Sequence, residues 1–175
     1  MTMTESSSSL VQQFRFEVVY RPTAAGGIDT VWTQPNSNRE VRDRHMVKTA
    51  DGLAGTYLVG DAGEWLACDW RPPPLLVPHT LDLQRTWAID SACDHAEGTR
   101  QLHEHLTGTL KITGTRQATV DGRPHTVWVV HREWRMDTTE AKSSSKSYET
   151  MTADAWWAPQ LREFVKETVD GVMYF

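Results

Sequence analysis

The chain has 175 residues, enough for one domain with a sizeable core, and all-β barrels often use this length without splitting. Its 23 acidic against 18 basic residues leave a formal charge of -5 and no basic stripe for a phosphate backbone, so nucleic acid is excluded as the expected partner. No run approaches the ~18 consecutive apolar residues of a spanning helix, so no membrane span is expected in this chain.

Residues 1–10 read as a disordered polar leader, with Ser6–Ser9 at its centre and neither a basic n-region nor an apolar h-region. As a native start they would mean a cytoplasmic protein. As a trimmed one they would hide a signal or an anchor. Residues 11–175 read as a single β-barrel-like domain. Phe14, Phe16, Val18 and Tyr20 alternate with Arg15, Glu17 and Val19, the period-2 pattern of a half-buried strand. A Gly26-Gly27 turn leads to a strand over 28–33, and another is expected over 40–49. After the Asp51-Gly52 turn signal, a strand over 53–59 ends at the turn 60–63, and 64–70 continues the meander. Pro72-Pro73-Pro74 cannot donate ladder hydrogen bonds and is expected as a crossing loop or an edge.

The stretch 91–106 is ambiguous, because Glu97, Arg100, Glu104 and the nearby histidines fit a solvated helical turn as well as a strand. Strands over 109–120 and 125–136 flank Asp121-Gly122-Arg123-Pro124, a tight-turn signal. A polar loop is expected over 138–147, then a strand ending at Trp156-Trp157-Ala158-Pro159. The segment 162–169 is expected to pair through an Asp170-Gly171 turn with 172–175. The fold class is therefore all-β, an antiparallel barrel or strongly curved half-barrel of about nine or ten strands.

Eight tryptophans stand at 32, 65, 70, 87, 128, 134, 156 and 157. Each can bury about 200 Å² and serve as core, or the set can wall a ligand cavity. On the strand 125–136 one face carries Trp128, Val130, Arg132, Trp134 and Met136, and an inward Arg between two Trp would orient an anion. The opposite face, starting at Val127 and Val129, is equally able to point inward at its start. His103 and His105 would share a strand face, with His95, Asp94, Glu97 or His131 as further donors, but without a metal-site signature they read as exposed histidines and no metal is expected. No nucleophile elbow or phosphate loop is present, and no cofactor is expected. An acid/base pair such as Glu133 with His131 or Tyr148 needs no motif. Asp137 and Glu140 read as loop solvation. Cys68 and Cys93 bracket the proline run, and their spacing fits either a disulfide or two buried thiols.

The segment Cys68-Asp69-Trp70-Arg71-Pro72-Pro73-Pro74-Leu75, followed by Trp87 and Cys93, resembles a pattern in uncharacterised actinobacterial extracytoplasmic proteins. The ending Trp156-Trp157-Ala158-Pro159-Gln160-Leu161 with Val165-Lys166-Glu167 is similar to that of DUF3108-like curved β-sheet domains. Trp157 stands where Tyr or Phe is usual, and Arg162-Glu163 replaces a Gly turn. The resemblance implies a highly curved antiparallel sheet, a Cys68–Cys93 bridge and an envelope location, and it transfers no catalytic residue.

The expected function is non-catalytic binding of a small apolar or amphipathic molecule in a Trp-lined cavity, with Trp128, Arg132, Trp134, Tyr148 and Trp156 as the cavity residues. The rival is a cofactor-free barrel cyclase or isomerase acting on a polyketide-like substrate, since shape and a few polar groups would leave the same trace.

Overall fold

The computed structural model describes residues 11–22, 28–33, 40–42, 46–55, 68–142 and 146–174. Eleven strands lie among them: β1 (Val11–Pro22), β2 (Ile28–Thr33), β3 (Glu40–Arg42), β4 (Met46–Lys48), β5 (Gly52–Gly55), β6 (Leu75–Pro78), β7 (Thr86–Glu97), β8 (Arg100–Val120), β9 (Arg123–Glu140), β10 (Lys146–Ala158) and β11 (Glu163–Tyr174). They build an eight-stranded sheet in the order β3-β2-β1-β11-β10-β9-β8-β7 and a three-stranded sheet in the order β4-β5-β6. Every strand ladder is antiparallel. The all-β antiparallel expectation is met; among the described residues there are eleven strands and no closed barrel. Among the described residues there is no helix, and the larger sheet is open, with β3 and β7 as its edges.

Local chemistry explains the long meander from β7 to β11. Asp121 and Gly122 take φ of 50° and 74°, the pair of positive values that a two-residue hairpin turn requires. This is the expected β8–β9 hairpin, and it is longer at both ends than the expected strands. Bulges fall at Thr113 on β8 and at Val165 on β11, the latter opposite Trp156 and Trp157 of β10; in each an extra residue bends the strand and increases its twist. At the β7 edge Arg71 forms a two-way bridge with Ala92, and the prolines that follow are not strand but a connection into β6, the loop alternative of the expectation.

Several expectations are corrected. The stretch 91–106, ambiguous in sequence between a helical turn and a strand, is strand: β7 runs into β8 as a hairpin reversing at Gly98-Thr99. The expected strand 40–49 is two strands, because β3 pairs with β2 while β4 pairs with β5 in the other sheet. Of the loop expected over 138–147, residues 138–140 and 146–147 are strand: Thr138, Thr139 and Glu140 stay paired with Glu104, His103 and Leu102, and β10 begins at Lys146. Asp170-Gly171 is not a turn, because β11 runs straight through it with β10 on one side and β1 on the other. Cys68–Trp70 is not strand, and of the strand expected over 53–59 residues 53–55 lie in β5. The leader 1–10, the Gly26-Gly27 turn, the remainder of the strand expected over 53–59, the turn 60–63 and Trp65 lie outside the described residues.

The core lies between the two sheets. Cys68, Trp70, Leu76 and Val77 pack on Ile89, Leu106, Leu110, Ile112, Val130, Trp134, Ala155 and Phe164 of the large sheet. Trp87, Trp128 and Trp157 pack against this cluster from its margin. Burying such apolar surface is the main term holding the sheets together.

Candidate functional site

On β9 the alternation sends Trp128, Val130, Arg132, Trp134 and Met136 to the core face. The reverse face is buried at Val127 and Val129 and becomes exposed at Glu133 and Arg135. Arg132 is fully buried and forms an ion pair with the equally buried Glu167 of β11. These two residues meet across β10, where register puts Ala153 beside Arg132 and Ala155 beside Glu167. The short alanine side chains leave the room in which the guanidinium crosses, with Trp134 and Phe164 rings 4.9 and 5.9 Å from it. Tyr148 and Trp156 fall on the other face of the sheet, opposite Asp137 and Val129. Tyr148 stacks on Tyr174 at 4.4 Å beneath Arg135, and Trp156 lies under Arg116 and Lys166. The five expected cavity residues therefore divide between two faces: three in or against the core, two on the outer side.

A groove of ≈ 620 Å³ crosses β8 to β11. One wall is the cross-strand row Thr107, Arg135, Thr150 and Val172, and the other contains Glu133, Thr152 and Asp170. Between them the row Gly108, Trp134, Met151 and Gly171 supplies backbone, because the Trp134 and Met151 side chains turn to the core face. Gly108 is needed for close approach, because a β-carbon there would collide with the Glu133 carbonyl oxygen. The rim is charged but paired: Arg135 holds Asp137 through two hydrogen bonds of 2.8 and 2.6 Å, which keeps the Asp137 carboxyl below its usual range. Of the expected acid/base pairing, Glu133 meets His131 at 3.1 Å on this outer face, and Tyr148 is engaged elsewhere.

The core face ends in a polar cluster. Register places Cys93 of β7 opposite Glu104 of β8, with His95 one step along β7 on the same face. His95 Nε2 lies 3.1 Å from Glu104 Oε1, and the two side chains are only 6% and 12% exposed. Cys68 and Cys93 are joined as a disulfide with Cα atoms 5.7 Å apart. Both sulfurs lie 3.9 Å from Glu104 Oε2, contacts without a donated proton because a disulfide carries none. His95 Nδ1 is buried with no hydrogen-bond partner among the described residues. Glu149, on the core face of β10, is pushed up to about 7 by burial and then by the charge of Glu104. This cluster escaped the sequence reading. Its signal was Gly98 as a turn: folding 91–106 about it brings Cys93, His95 and Glu104 to one face with Leu102 and Leu106.

His103 and His105 do share the outer face of β8, but each bonds its own aspartate on β7, Asp94 and Asp90, at 2.8 Å. They form separate hydrogen-bonded pairs rather than converging ligands. The converging donor atoms are those of Cys68, His95 and Glu104, within 4.8 Å of one another.

No family model, curated protein or solved structure matches the chain.

Proposed function

We propose that this chain binds a small amphipathic molecule, without turning it over, in the groove across β8 to β11. The observation that carries this reading is the ≈ 620 Å³ groove, whose size suits one small ligand, whose floor is strand backbone left open at Gly108 and Gly171, and whose walls carry Val172 and threonines. Val172 and the threonine methyl groups would take the body of the ligand, and Glu133 and Arg135 its polar end. In this reading the open eight-stranded sheet is a half-barrel wall, as the resemblance to DUF3108-like domains implies. The Cys68–Cys93 bridge supports an oxidising, extracytoplasmic location.

The test is native mass spectrometry of the protein from its own host, followed by organic extraction, with Thr150→Arg as the groove-filling variant. The wild-type chain should carry a stoichiometric adduct, and Thr150→Arg should lose it while keeping its far-ultraviolet circular dichroism. A bare wild-type chain, or an adduct that survives the substitution, overturns the groove as the site. A compound released in altered form would replace binding by the rival, a cofactor-free cyclase or isomerase.

A further inference from the structure

We propose that reduction of the Cys68–Cys93 bridge converts the polar end of the core into a divalent-metal site of zinc type, with Cys68, Cys93, His95 and Glu104 as its four ligands. The observation is the convergence of four potential donors on one buried point from three directions: the segment before β6, strand β7 and strand β8. Zinc bonds of about 2.3 Å to sulfur and 2.0–2.1 Å to nitrogen or oxygen set tetrahedral ligand spacings of about 3.3–3.8 Å. The cluster is already close to that figure, with 3.9 Å from each sulfur to Glu104 Oε2 and 3.1 Å from His95 Nε2 to Glu104 Oε1. Once their bond is broken the sulfurs must separate, and the donor atoms of Cys68, His95 and Glu104, now within 4.8 Å of one another, must close to that spacing by side-chain rotation. The donor set of two thiolates, one imidazole and one carboxylate is one that zinc accepts. A second observation points the same way: His95 is more than nine-tenths buried, with one ring nitrogen engaged by Glu104 and the other unpartnered among the described residues.

The chemistry balances with a dithiol or phosphine reductant. A dithiol gives two electrons and two protons to the disulfide, yielding two cysteine thiols and its own cyclic disulfide. A phosphine with water yields the two thiols and a phosphine oxide. The metal then displaces both thiol protons, so binding releases acid. While the bridge is intact the sulfurs are not thiolates and the site lacks two of its ligands. Metal binding is thereby gated by redox state. This inference stands on residues outside the groove and does not depend on the ligand proposed there.

The experiment titrates Co2+ and then Zn2+ into the full chain, oxidised and phosphine-reduced, with the reductant removed under inert gas. The reduced chain should bind one equivalent of Co2+ with a thiolate-to-cobalt charge-transfer band, and Zn2+ should displace it. The oxidised chain should have no such band. In the reduced state His95→Ala and Glu104→Gln should each weaken affinity by about tenfold or more. Circular dichroism accompanies each titration, because the reduced chain can unfold without metal. In that case Zn2+ should restore the β spectrum. Absence of a band from the reduced chain, unchanged affinity in both variants, or a reduced chain that Zn2+ cannot refold each overturn the proposal.

Discussion

Glu149 is the residue whose environment departs most from what its position suggested. It sits in a strand of alternating polar and small residues, and its sequence gives no hint that its carboxyl is raised to about 7. Burial is the larger cause and Glu104 the second, with His95 hydrogen-bonded on the far side of Glu104. A carboxyl raised in the folded state binds its proton more tightly there than in the unfolded chain. Its contribution is therefore favourable below the unfolded value of about 4.5 and is lost as pH rises through about 7. Glu149→Gln removes that loss. On the oxidised chain in metal-free buffer, the variant should match the wild type near pH 4.5 and exceed it by roughly 2–3 kcal/mol at pH 8. Urea denaturation at the two pH values checks this, and an equal difference at both would remove the titration as its cause.

At the scale of single elements, the buried pair of Arg132 and Glu167 depends on three strands at once. β9 supplies the cation, β11 the anion, and β10 the gap at Ala153 and Ala155. Arg132→Met leaves Glu167 buried without its ion-pair partner, and the expected loss is about 3–5 kcal/mol. Arg132→Met with Glu167→Leu removes both charges and should recover most of it, because an apolar pair of similar volume needs no desolvation. Urea midpoints of the single and double variants make the comparison. A double variant no better than the single would mean that packing, not charge, carries the loss. The same strands mark what was legible in the sequence. The alternation on 125–136 and the Asp121-Gly122 turn gave the β8–β9 hairpin because local turn chemistry and hydrophobic pattern agree there. The stretch 91–106 was unreadable because His95 and Glu104 occupy core-facing positions, which breaks the apolar alternation at the place where polar groups converge. Asp170-Gly171 misled for the opposite reason: its turn chemistry is real but is overridden by pairing with β10 and β1. The split of the five expected cavity residues was also beyond reach, because residues on one strand keep their alternation but the face each strand turns to the core depends on register with its neighbours.

For the molecule as a whole, the sheets are joined by packing and by one covalent link. Cys93 lies on the edge strand of the large sheet, and Cys68 belongs to a segment held by Trp70, by the Arg71–Ala92 bridge and by the Ser91 hydroxyl, which donates to the Pro72 carbonyl oxygen. That segment leads directly into β6, so the bridge fixes the small sheet's last strand against the core face. Its two cysteines are 25 positions apart, a loop whose closure removes about 3–4 kcal/mol of chain entropy from the unfolded state. Replacing both cysteines by alanine avoids thiols and metal binding altogether and leaves only the loss of the link and of two small buried side chains. The double variant should remain folded but melt roughly 6–12 °C lower than the oxidised wild type, the shift that about 3 kcal/mol gives for a domain of this size. Scanning calorimetry reads the shift. An unchanged melting temperature would mean that Trp70, Leu76 and Val77 hold the segment in place without the bridge, whose role would then lie in the chemistry of its sulfurs rather than in stability.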